Sequence, residues 1–139
     1  MYQPLFDKFL TSDNTLRVYK GNKLIFASDK DRLRPLVEYI HKFASNHRNV
    51  VIFDKIMGRA AALLCIKANC REVYSPLGSQ LAMDVLGKRG IKYHLIRTVP
   101  CIQTPDGKMC PMELLSIGKE PEELYRLIKK LSAENPLLK

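Results

Sequence analysis

The chain has 139 residues, 46 % of them hydrophobic and 27 % charged, with seven Gly and eight Pro. That composition excludes a disordered or collagen-like polypeptide and predicts one compact domain over residues 1–139. Lys and Arg number 23 against 14 Asp and Glu, and the net charge of +9 favours polyanions or phosphorylated small molecules as partners. A solvated basic surface that keeps the protein soluble explains the same excess.

Residues 2–11 place Leu5, Phe6, Phe9 and Leu10 at helical spacing and stop before Ser12-Asp13-Asn14. Two short β-type runs, residues 15–19 and 24–27, flank Gly21-Asn22 and predict a hairpin. Ser28-Asp29-Lys30-Asp31 offers capping side chains for a helix ending near Ala44, with Pro35 in its first turn. Leu33, Leu36, Val37, Ile40 and Phe43 are its expected buried stripe. Residues 49–53 form a continuous apolar run, the pattern of a strand covered on both faces.

Residues 58–68, small and apolar on most sides, predict a deeply packed helix. A short strand over 72–74, a helix over 80–88 closed by Gly90 and a strand over 91–99 follow. This strand–helix–strand–helix–strand run implies parallel pairing through right-handed crossovers. Residues 99–110 read as a loop turning at Pro105-Asp106-Gly107. A short helix starts at Pro111, and an amphipathic one covers 120–133. The expected fold is α/β, a three-layer α/β/α sandwich around a mixed sheet of about five strands.

The longest apolar run, residues 60–66, is too short to cross a bilayer, which takes roughly 20 residues. Residues 1–7 lack the basic-then-apolar pattern of an export signal, so a cytoplasmic protein without membrane contact is expected. Cys65, Cys70, Cys101 and Cys110 are expected as free thiols. No C-x-x-C and no paired Cys/His spacing of a zinc site occurs, and nothing indicates a metal or a cofactor.

Ligands of sheets with parallel strands bind beyond the strands' carboxyl ends. That edge collects residues 54–59, 75–79 and 98–113. Lys55, Gly58 and Arg59 stand at a strand–turn–helix junction, where free helix amides and two cations form an anion cradle. Gly58 admits a ligand close to the backbone, and Lys55 and Arg59 share a face if the helix begins early. Close helix–sheet packing is the competing reason for Gly58 and Ala60 to Ala62. Asp54, Ser75, Cys101 and Glu113 complete the expected ligand-binding set.

Cys110-Pro111-Met112-Glu113 puts a thiol at a helix start, where amides raise its nucleophilicity, while Glu113 as a local cap opposes the effect. Cys110 is the candidate catalytic nucleophile and Cys101 its candidate resolving partner. The competing reading of Cys110 is an inert loop thiol. His41, His47 and His94 bear no fixed relation to it.

The order of elements over residues 2–99 resembles that of the cytidine deaminase-like superfamily. Asp54-Lys55-Ile56-Met57-Gly58-Arg59-Ala60-Ala61-Ala62 and Gly107-Lys108-Met109-Cys110-Pro111-Met112-Glu113 resemble a small uncharacterised bacterial family with that fold, a domain of unknown function. The resemblance implies a zinc held by His/Cys/Cys or three Cys with a proton-shuttling Glu, carried as H-x-E and P-C-x-x-C on two helix starts. The corresponding starts here, residues 28–32 and 54–60, contain no His, Cys or Glu.

In an alternative register, Pro76-Leu77-Gly78-Ser79-Gln80 has Leu77 and Gln80 where cysteines belong, and residues 49–70 hold neither His nor Glu. Cys65 and Cys70 lie roughly 10–18 Å along the chain from the helix mouth near Gly58. The expected protein is therefore not a zinc-dependent deaminase. It is a catalytically silent deaminase-fold protein binding a small anionic ligand such as a nucleotide or phosphorylated metabolite. Two other readings stay open: a nucleic-acid-binding module driven by charge, and an enzyme using Cys110. Against the first stands the lack of a basic aromatic stripe, a helix-turn-helix or an RNA-reading motif.

Overall fold

Five consecutive buried residues, Val50–Asp54, form strand β3, the centre of the protein. The computed structural model describes residues 2–134; residue 1 and residues 135–139 of the expected domain lie outside it. β1 (Leu16–Lys20) pairs antiparallel with β2 (Lys23–Ser28) on one side and with β3 on the other. β3, β4 (Cys70–Ser79) and β5 (Lys92–Val99) run parallel, giving a mixed five-stranded sheet in the order β2-β1-β3-β4-β5. The β1–β2 hairpin turns at Gly21 (φ +60°), a left-handed conformation that glycine adopts without strain.

The helices are α1 (Gln3–Leu10), α2 (Arg34–Phe43), α3 (Arg59–Lys67), α4 (Gln80–Lys88), α5 (Pro111–Ser116) and α6 (Pro121–Glu134). Strand side chains alternate between faces. Val51 and Phe53 accordingly join Tyr2, Phe6, Phe9, Tyr19 and Tyr74 in one apolar cluster, whose helix is α1. Val50 and Ile52 join a larger cluster built with α2, α3, α4 and α6. Ala60, Ala61 and Ala62 are buried on α3, and their small side chains let α3 pack against α2, α4, α5 and α6. No helix among the described residues is long and apolar enough to cross a membrane.

Two elements differ from expectation. β4 runs on to Ser79 instead of stopping at Tyr74. β3 makes its last pair at Phe53↔Tyr74 and turns away, so Pro76, which has no N–H to donate, falls where β4 pairs chiefly with β5, as far as Ser79↔Val99. The side chains of residues 28–31 do not cap α2, which begins at Arg34 without a side-chain cap. Ser28 Oγ instead accepts the Lys30 N–H at 3.2 Å, a local turn that competes with capping.

Candidate functional site

The carboxyl end of β3 opens onto a cleft of about 610 Å³. One wall is Asp31, Arg32 and Leu33, just before α2; another is Gly58, Ala60 and Ala61 at the start of α3. Asp54, Lys55 and Ile56 lie between them with Thr15. The far side is a small hairpin over residues 102–110, followed by α5. Hydrogen bonds close it from Cys110 N to the Ile102 carbonyl and from Thr104 N to the Lys108 carbonyl, both 2.8 Å. Gly107 (φ +85°) makes its turn, where Pro105-Asp106-Gly107 predicts one.

Glu113 holds this side in place. It is 2 % exposed, and its Oε2 accepts the Ile102 N–H at 2.8 Å while its Oε1 accepts the Arg59 N–H. The carboxylate therefore caps α3 rather than its own helix α5, which corrects the local-cap expectation. A negative charge at a helix N-terminus is stabilised by the free amides and by the helix dipole.

The expected anion cradle on α3 is corrected by the same contact, because the protein's own carboxylate meets the Arg59 amide. Gly58 (φ −86°, ψ 179°) has backbone that any residue adopts. A Cβ there would stand 3.0 Å from both Glu113 Oε1 and Ile102 Cγ1. The close approach at Gly58 is thus made by Glu113.

The two cations diverge. α3 begins at Arg59, so Lys55 precedes the helix and shares no face with Arg59. The Lys55 ammonium donates to the Ser12 carbonyl at 3.0 Å and sits 4.7 Å from the centre of the Phe9 ring. The Arg59 guanidinium donates to the Ser116 carbonyl. Of the remaining expected residues, Asp54, Cys110 and Glu113 border the cleft; Arg59, Ser75 and Cys101 do not. Ser75 is buried and bonded within its own strand, donating to the Leu77 carbonyl at 2.9 Å.

Cys110 is the N-cap residue of α5, a helix of six residues, and it is partly buried. The described cysteines are free, and burial pushes the Cys65 thiol well above its ordinary range, with Cys70 beside it adding to the effect. Among the described residues no three His, Cys, Asp or Glu side chains gather as a metal site would require.

Asp54 stands apart from these groups. It is 8 % exposed, and burial pushes its carboxyl up to about 7, although the Ile56 and Lys55 backbone N–H groups pull the other way. Sequence reasoning missed Asp31 and Arg32 as cleft residues. Arg32 is exposed and takes φ +59°, a left-handed backbone uncommon outside glycine. The available signal was its position in the helix start that corresponds to one deaminase motif.

No curated protein matches the chain. A DUF1893 family protein (TM1506) from Thermotoga maritima, solved by crystallography, aligns with a TM-score of 0.82 at 27 % identity. The alignment covers 93 % of this chain and 88 % of that one. Residues 6–131 match the family described as TM1506, domain of unknown function (DUF1893), and the chain belongs to that family.

Proposed function

We propose that this chain is a zinc-less, catalytically silent protein of the cytidine deaminase-like fold, a three-layer α/β/α sandwich. Its cleft binds a small metabolite with an apolar body and an anionic group, a nucleotide or phosphorylated metabolite being the expected class. One observation carries the reading: the cleft of about 610 Å³ lies between the starts of α2 and α3. Those are the helix starts to which the deaminase resemblance assigns the zinc motifs. Here they supply Asp31, Arg32, Gly58, Ala60 and Ala61, which suit binding rather than hydrolysis. Ligand pockets are commonly apolar with a few placed polar groups.

Arg32 is the anion's partner in this reading. It lines the cleft, is exposed, and makes no ion pair with a described residue, whereas Lys55 and Arg59 are held by backbone carbonyls. The test is a thermal-shift screen of nucleoside monophosphates and sugar phosphates, with each hit titrated against Arg32→Ala. The variant is expected to bind about tenfold more weakly, the size of a lost charge-assisted hydrogen bond, with an unchanged melting temperature in the absence of ligand. Equal binding by the variant rules out Arg32 as the anion's partner.

A further inference from the structure

Of the two buried acids on the cleft, Asp54 and Glu113, Asp54 has the weaker set of donors. Its Oδ1 accepts a long hydrogen bond from Ile56 N at 3.5 Å, and the Lys55 N–H, which also favours its charge, is shared with the Thr15 carbonyl at 3.2 Å. Glu113, by contrast, has two backbone donors. The Lys55 ammonium turns away to the Ser12 carbonyl and the Phe9 ring, and no described Lys or Arg pairs with Asp54. A carboxylate that is nine-tenths buried without such partners is costly, and a ligand bringing N–H donors removes the cost.

We infer that Asp54 docks a cationic N–H donor of the ligand, an ammonium or amidinium end, so that the cleft selects metabolites carrying both charges. This rests on the cleft being the binding site, as proposed above, and adds the group that its buried acid recognises. A carboxylate accepts two parallel N–H bonds from a planar amidinium, which gives direction as well as attraction.

Binding then carries a proton signature. The empty protein holds Asp54 protonated up to a pH of about 7, and a cationic partner favours the ionised form. Affinity for such a group rises as pH approaches 7 and levels off above it. The charged and titratable groups around Asp54 are Asp31, Arg32, Lys55, Cys110 and Glu113 on the cleft, with Cys65 on α3. Cys65 stays a neutral thiol in this range, because burial pushes it well above its ordinary value.

The experiment titrates the full chain, ¹⁵N-labelled, with benzamidine and with benzamide, its neutral isostere. Benzamidine is expected to shift the amides of Asp54 and Ile56 and to bind at least tenfold more tightly than benzamide at pH 8. That advantage is expected to fall about tenfold or more at pH 5.5, as one linked proton requires. Asp54→Asn should abolish it, and the wild-type pH comparison decides the matter if that variant folds poorly. Equal binding of the two probes, or an advantage that ignores pH, overturns the inference. If neither probe moves the cleft amides while phosphorylated ligands bind there through Arg32, the inference falls and the cleft reading stands. If neither the phosphorylated ligands nor the probes perturb those amides, both fall.

Discussion

A buried acid that titrates near neutrality makes Asp54 run against the usual carboxylate trend. Its carboxyl rises from 3.8 to about 7 on folding, so between those values the folded chain holds a proton that the unfolded chain has lost. Stability from this group is therefore lost as pH rises from 3.8 to about 7, and the full cost is present above 7. Glu38 and Glu122, held below their ordinary value first by Lys30 and Lys67 respectively, act in the opposite direction. Asp54→Asn isolates the effect. It should stabilise the protein by about 2–4 kcal/mol at pH 8 and change little near pH 4. Urea denaturation at both pH values checks this; an equal change at both would contradict the burial argument. Two glycines make a second contrast. Gly58→Ala pushes a Cβ to 3.0 Å from the Glu113 carboxylate and should destabilise by about 1–3 kcal/mol, the cost of buried amides losing their acceptor. Gly87→Ala, exposed near the end of α4 with nothing within 4 Å of the new Cβ, should stabilise by about 0.5 kcal/mol.

Among the elements, α5 and the 102–110 hairpin depend on a single side chain. Glu113→Ala leaves the Arg59 and Ile102 N–H groups without their acceptor and should cost about 2–3 kcal/mol. Hydrogen exchange should quicken at Ile102, Thr104 and Cys110 while α4 keeps its protection; uniform quickening would mean that the latch is not local. The same residue shows what was legible in the sequence. α4 is legible over its whole span because its signals are local: Ser79 Oγ accepts the Ala82 N–H at 3.1 Å, and Gly90 takes φ +70° beyond the last turn. β4 outruns the short strand that residues 72–74 predict, because its continuation rests on pairing with β5 after β3 has left the ladder, which no local signal reports. Glu113 looks like a local cap in the sequence because its acceptor role spans 54 positions of chain, which no spacing rule reports. The cleft was half legible for that reason. The sheet-edge rule finds Asp54, Lys55, Gly58, Cys110 and Glu113, but Asp31 and Arg32 reach the cleft from the segment before α2.

The molecule as a whole is divided by its sheet into two unequal apolar clusters, and the smaller one reports on the cleft. Phe53 lies at the centre of that cluster, its ring 5.0–6.3 Å from those of Tyr2, Phe6, Phe9, Tyr19 and Tyr74. α1 is the helix in it, and Lys55 ties the cleft to the end of α1 through the Ser12 carbonyl and the Phe9 ring. Phe6→Ala removes a buried ring that meets Phe9, Phe53 and Tyr74, and such truncations cost about 3–5 kcal/mol when the whole fold depends on the site. Here the larger cluster keeps α2, α3, α4 and α6 on the opposite face, so the loss should surface first as a local opening of α1. Native-state hydrogen exchange of the variant is expected to show fast α1 amides beside retained protection in α3 and β3. The Lys55 ammonium, freed from Ser12 and Phe9, would then be available to Asp54 one residue away. Its arrival favours the ionised carboxyl, so the Asp54 titration should move down from about 7, which carbon-detected NMR of the side chain can follow. A variant in which α1 opens while the Asp54 midpoint stays put would show that the aromatic face and the cleft are uncoupled.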